Sequence, residues 1–226
     1  MRLRNIPGAR EAVENSPCVV QDPHARKGCW RSLFAENSAD RLPLHVEIGA
    51  GKGRFLAGMA QNHADCAFVG IERYATVLYK ALRRMPEDVK DRIRFVCMDA
   101  ELIAEVFDRG EVDRLYLNFS DPWPKARHEN RRLTSRSFLA RYERILRPGG
   151  VIAFKTDNRA LFDWSLEEAE LAGWRFLEQT FDLHADARLC EGNVMTEYEE
   201  KFSAQGHPIC KYIITKEEPI NGNHGE

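Results

Sequence analysis

Val46-Glu47-Ile48-Gly49-Ala50-Gly51-Lys52-Gly53-Arg54-Phe55 is the stretch that decides the fold of this 226-residue chain. An apolar run suited to a buried strand passes through a glycine-rich turn straight into a helical pattern, and open α/β sheets bind nucleotide-like molecules at such turns. Glycine lets ligand and backbone approach closely there. The spacing then separates the candidates. A dinucleotide fingerprint needs Gly or Ala three residues after its second glycine, where this chain has Arg54; a P-loop needs Ser or Thr after its Gly-Lys, where it has Gly53. Both phosphate-binding readings weaken, leaving Glu-x-Gly-x-Gly-x-Gly.

Outward from this turn, short apolar runs at Leu44 to Ile48, Ala67 to Glu72, Ile93 to Cys97, Leu115 to Phe119 and Val151 to Thr156 read as strands. Helical patterns lie between and after them at Arg54 to Asn62, Ala75 to Arg84, Ser135 to Leu146 and Ala160 to Ala172. In the third, Phe138, Leu139, Tyr142, Ile145 and Leu146 make one apolar face, with Pro148-Gly149-Gly150 as the stop. Alternation of this kind predicts a mostly parallel, doubly wound α/β sheet, with Trp174 to Phe181 and Ile209 to Thr215 as an antiparallel pair at its C-terminal edge. Residues 1–43, rich in turn formers but with an aromatic cluster at Trp30 and Phe34, read as an N-terminal arm packed on the domain. The domain itself spans 44–216, and 217–226 reads as a flexible tail.

Charge and composition bound the function. Lys plus Arg number 33 against 35 Asp plus Glu, a formal charge of -2, so no global positive field recruits a polyanion and any nucleic-acid site must be local. The 6 cysteines form no C-x-x-C pair and read as reduced, packed thiols, while the 7 histidines show no paired ligand spacing, so no metal is expected. Neither a membrane span nor a signal peptide is legible, and a cytoplasmic protein with no membrane association is expected.

The motif Glu-x-Gly-x-Gly-x-Gly resembles the first motif of S-adenosylmethionine-dependent methyltransferases. Glu72 ends the second strand and suits the two hydroxyls of a ribose, and Asp99-Ala100 at the end of the third can meet an adenine amino group. Strand 4 runs into Asn118-Phe119-Ser120-Asp121-Pro122-Trp123-Pro124-Lys125. In the usual 3-2-1-4-5 order the crevice opens between strands 1 and 4, so Asp121 faces the methyl end of the cofactor. Two prolines stiffen this loop. Lys125, Arg127, His128, Arg131 and Arg132 follow it, a local cationic patch that can hold phosphates.

Phe119-Ser120-Asp121-Pro122-Trp123-Pro124-Lys125, the following Arg-His-x-x-Arg-Arg-Leu, Lys155-Thr156-Asp157 and Thr196-Glu197-Tyr198-Glu199-Glu200-Lys201-Phe202 resemble the bacterial tRNA (guanine-N7)-methyltransferases, over about residues 2 to 216. The resemblance implies a Rossmann-like class I methyltransferase fold, S-adenosyl-L-methionine as cofactor, and tRNA as partner, methylated on a guanine of its variable loop. It further implies a cofactor site of Glu47, Gly49, Gly51, Gly53, Glu72, Asp99, Ala100 and Asp121, with Asp121 catalytic. Substrate contacts fall to Lys125, Asp157, Thr196, Glu197, Tyr198 and Glu199, and RNA contacts to Arg127, His128, Arg131 and Arg132. Ser120, Ala126 and Asn130 depart from the family pattern, the last two depleting the basic segment, for which Arg2, Arg4, Arg10, Arg26, Lys27 and Arg31 of the arm compensate. No obligatory protein partner is implied, and monomer and homodimer both stay open. Two rival readings remain at this level: a methyltransferase of small molecules, and a non-enzymatic RNA-binding protein with a vestigial pocket.

Overall fold

A computed structural model describes residues 6–34 and 42–216. The expectations for Arg2, Arg4 and the tail 217–226 lie outside the described residues. Seven strands form one sheet: β1 (Leu44–Ile48), β2 (Ala67–Glu72), β3 (Ile93–Cys97), β4 (Val112–Asn118), β5 (Leu146–Thr156), β6 (Arg175–Thr180) and β7 (Cys210–Thr215). Their order is β3-β2-β1-β4-β5-β7-β6, with parallel pairing from β3 through β5 and β7 antiparallel to both its neighbours. The anticipated sheet and its antiparallel edge are both present. β1 and β2 are buried along nearly their whole length because helices cover both faces, which is why they read as unbroken apolar runs.

Helices α1 (Ala9–Glu14), α2 (Arg54–Asn62), α3 (Ala75–Arg84), α4 (Ile103–Val106), α5 (Arg136–Ile145), α6 (Arg159–Leu171), α7 (Ala187–Cys190) and α8 (Glu197–Ser203) complete the fold. Two strands begin more than one residue away from expectation. β4 starts at Val112 and ends at Asn118, because Phe119 turns into the left-handed region at φ 52. β5 begins at Leu146, ahead of the Pro-Gly-Gly stop expected to precede it: Leu146 pairs with Val112, the exposed Pro148-Gly149 segment bulges out, and pairing resumes at Val151 opposite Arg114.

The arm is pinned by its aromatic cluster. Trp30 is fully buried, donates its indole N–H to the Val106 carbonyl at 2.7 Å and stacks on Phe107 at 4.8 Å. Phe95 exchanges backbone hydrogen bonds with Cys18 and Val20, so the arm also extends the β3 edge. The strand order reverses between β1 and β4, and the carboxyl ends of these two strands are where a doubly wound sheet opens its ligand crevice.

Candidate active site

The glycine loop divides into two jobs. Gly49, Gly51 and Gly53 all have positive φ (80, 57 and 77). A side chain at Gly53 would strike Met85 at 3.0 Å and Ala81 at 3.2 Å, so this residue lets α2 pack against α3; above Gly49 nothing lies within 4 Å. Gly49 and Gly51 thus present bare backbone to open space at the end of β1.

Three acids surround that space. Glu72 closes the loop from beneath, accepting the Gly51 N–H on one oxygen and the Tyr74 N–H on the other, both at 3.0 Å. Burial pushes its carboxyl up, partly offset by those N–H groups. Asp99 caps the turn that begins at half-buried Ala100 through the Glu101 N–H at 3.0 Å, and Arg73 lies 3.3 Å away. Glu47 on β1 is buried, and desolvation pushes it up to about 8 against the opposing pull of Asn118 and Lys155. One of its oxygens accepts from Asn118 at 2.8 Å; the other has no partner among the described residues. A buried acceptor without a donor, beside uncovered loop backbone, suits a ligand bearing its own donors.

The strand-4 loop is held under strain. Phe119 and Trp123 are the non-glycine residues with positive φ (52 and 40) among those described, a conformation costing on the order of 1–3 kcal/mol each that persists only where the surroundings enforce it. Asp121 between them is exposed and near enough to Glu72 for its charge to raise that carboxyl. Lys125, Arg127 and Arg131 are exposed, Arg131 lies 5.1 Å from the Trp123 ring centre, and His128 meets the same ring edge-on at 5.9 Å. Arg132 departs from its expected place among the RNA contacts. Its Nε donates to the Pro122 carbonyl at 3.0 Å and its Nη2 to the Trp123 carbonyl at 3.1 Å, while the guanidinium sits 4.3 Å from the Trp164 ring centre on α6.

The C-terminal motif also sorts differently from expectation. Glu199, expected among the substrate contacts, is fully buried and bonded to Lys155 at 2.6 Å, where it anchors the segment. The Lys155 ammonium donates in addition to Asn193 at 3.1 Å and the Val194 carbonyl at 3.0 Å. Burial lowers the Lys155 pKa, outweighing the adjacent carboxylate. The Thr196 hydroxyl caps α8 by accepting the Glu199 N–H at 2.9 Å. Glu197 pairs with Lys52 and Arg84, and Glu200 with Arg54, tying α8 to the glycine loop and its flanking helices. Tyr198 faces outward: 43% exposed, it donates to Asp157 at 3.3 Å and packs its ring on Phe202 and Phe119. Tyr198 therefore links Asp157 to Phe119, which opens the same strand-4 loop that carries Asp121 and Trp123. Sequence reasoning assigned no role to Lys155, although a lysine inside an apolar strand run is itself a signal, since a buried charge requires a partner.

A doubly wound sheet with a bare glycine turn after β1, acids at the ends of β1, β2 and β3, and an acid-bearing loop after β4 defines a Rossmann-like class I S-adenosylmethionine-dependent methyltransferase. Solved structures share that fold: an antibiotic-related methyltransferase at TM-score 0.57 and 16% identity, covering 83% of this chain and 90% of its own, and the Methanococcus jannaschii fibrillarin pre-rRNA processing protein at 0.54 and 16%, covering 79% and 68%. The family described as "Putative methyltransferase" matches residues 41–212. A tRNA (guanine-N(7)-)-methyltransferase of Lachnoclostridium phytofermentans is 50% identical over 96% of this chain and 99% of its own length, and that of Bacillus subtilis is 44% identical over 92% and 96%. The chain belongs to the tRNA (guanine-N7)-methyltransferase family.

Proposed function

We infer that the chain transfers a methyl group from S-adenosylmethionine to N7 of a guanine in the variable loop of tRNA. The observation that carries this reading is the position of Asp121: exposed in a stiff loop, electrostatically coupled to Glu72 on one side and followed on the other by the outward cations Lys125, Arg127 and Arg131. No helix among the described residues is long and apolar enough to cross a membrane.

Among this chain's residues, Gly49 and Gly51 would supply uncovered backbone to the cofactor, Glu72, which holds their loop, would take the ribose hydroxyls, Asp99 the adenine amino group, and the unpartnered Glu47 oxygen a donor of the amino-acid end. When bound, the cofactor supplies an electrophilic sulfonium methyl. Guanine N7 carries an in-plane lone pair and no proton, so the protein has to align it; no base is required. Methylation leaves the purine cationic. Asp121 and Asp157 can accept hydrogen bonds from the guanine N1 and N2 donors and stabilise that growing charge. Tyr198, braced by Phe202 and Phe119, offers an aromatic face to an unstacked base. The outward cations after Trp123 suit a polyanionic substrate better than an uncharged small molecule.

The test is incubation of unmodified tRNA with protein and methyl-labelled cofactor, followed by mass spectrometry of the nucleosides and of nuclease fragments. 7-Methylguanosine in the variable-loop fragment is expected. Label in another nucleoside, or none, overturns the assignment.

A further inference from the structure

The basic segment after Trp123 points two ways. Lys125, Arg127 and Arg131 are exposed, but the segment's far end is fastened to α6. The Thr134 hydroxyl meets the Ser165 hydroxyl at 2.7 Å in a buried contact, the Arg136 N–H donates to Glu168 at 2.9 Å, and Arg132 stacks on Trp164 at 4.3 Å. Trp164, Ser165 and Glu168 lie on consecutive turns of one helix face, so the chain from 132 to 136 runs along α6 as a fixed rail. From that rail the Arg132 fork reaches back to the carbonyls of Pro122 and Trp123 at 3.0 and 3.1 Å. Proline cannot donate a backbone N–H, so the loop cannot hold itself by a turn hydrogen bond from Pro122 or Pro124, and Trp123 keeps its φ of 40 against steric preference.

Resting on the methyl-transfer reading above, the geometry points to Arg132 as a positioning residue: its guanidinium, aligned by Trp164, clamps the Pro122-Trp123 turn to α6 and so fixes Asp121 at the crevice. Its charge serves the loop's carbonyls and not a tRNA phosphate. Arg131 is its outward counterpart. One follows the other in sequence, yet the first lies over the exposed side of Trp123 and the second holds that residue's backbone. Lysine has the charge but not the planar two-pronged donor or the stacking face.

Charge-conserving substitution separates this role from phosphate binding. Arg132→Lys should lower the single-turnover methyl-transfer rate about 10- to 100-fold, the range for displacement of an aligned group. Its tRNA dissociation constant and the slope of log K against log salt should match wild type. Arg131→Gln, by contrast, should lower that slope by about 0.7–0.9. Independently of any substrate, hydrogen exchange of the Phe119, Ser120, Asp121 and Trp123 amides in the free protein should be about tenfold faster in Arg132→Lys, with the sheet amides unchanged. Unchanged exchange at these loop amides overturns the clamp whether or not wild type methylates tRNA. So does a wild-type transfer rate in Arg132→Lys, or an Arg132→Gln variant whose defect is a shallower salt slope restored by lysine. Rapid exchange in the variant with no methylation by wild type would leave the clamp standing and refute the tRNA reading instead.

Discussion

Replacing Lys155 by methionine tests how the C-terminal motif is held. The side chains of Lys155 and Glu199 are 6% and 0% exposed, and the three ammonium hydrogens have three acceptors: Glu199 at 2.6 Å, Asn193 at 3.1 Å and the Val194 carbonyl at 3.0 Å. Lys155→Met fills the stem volume but strands the Glu199 carboxylate in a dry site, with the Asn193 amide at 2.7 Å and His184 at 3.3 Å as its remaining side-chain partners. Removing one partner of a buried pair costs about 3–5 kcal/mol. A protein of this size loses about 2–4 °C of melting temperature per kcal/mol, so the melting point should fall by about 6–20 °C. The double variant Lys155→Met with Glu199→Leu removes both charges and should recover most of that loss, since apolar replacement of a buried pair is often near neutral. Differential scanning calorimetry and urea titration of the four proteins close the cycle. The same single variant should lose methyl transfer, because α8 carries Tyr198 to Asp157 from this anchor. A Lys155→Met protein within about 1 kcal/mol of wild type, or a double variant no better than the single, refutes the reasoning.

Other outcomes follow from the remaining acids. Glu72→Ala should weaken cofactor binding by about 1.5–3 kcal/mol, roughly ten- to a hundredfold in Kd, through loss of both the ribose acceptor and the support of the Gly51 N–H; equal affinities by calorimetry would show the ribose to lie elsewhere. Asp121→Ala should cut the single-turnover rate while leaving tRNA affinity near wild type, and a variant that loses binding alone would make Asp121 a recognition residue. Glu47 has a folded-state pKa of about 8, above its usual carboxylate value, so the native state of the free protein holds an extra proton between about pH 4.5 and 8. Its contribution to stability is therefore full below that window and lost as pH rises through it. Glu47→Gln should flatten the decline in urea midpoint between pH 5.5 and 8.5, and an unchanged decline would place the proton elsewhere.

The sheet was legible because its signals are local. The strand runs at Leu44, Ala67 and Ile93, the glycine turn and the helix at Ser135 follow from apolar period and turn chemistry, and sheet order follows from the crossovers those imply. The places of Glu72 at the end of β2, Asp99 just after β3 and Asp121 in the loop after β4 were equally legible, since an acid there opens on the carboxyl edge of the sheet wherever the strand ends. Direction of side chains across the tertiary structure was not. Glu197, Tyr198 and Glu199 are consecutive and chemically suited to one substrate, yet helical rotation of α8 sends the first to Lys52 and Arg84, the second to Asp157 and the third into the core beside Lys155. Arg131 and Arg132 are likewise identical in residue type but opposed in direction. What decided them was packing against elements remote in sequence, the glycine loop, α3 and β5 for the one motif and α6 for the other. A residue's type and position along the chain determine which interactions it can make; only the neighbours that folding brings within a few ångströms decide which of them it makes.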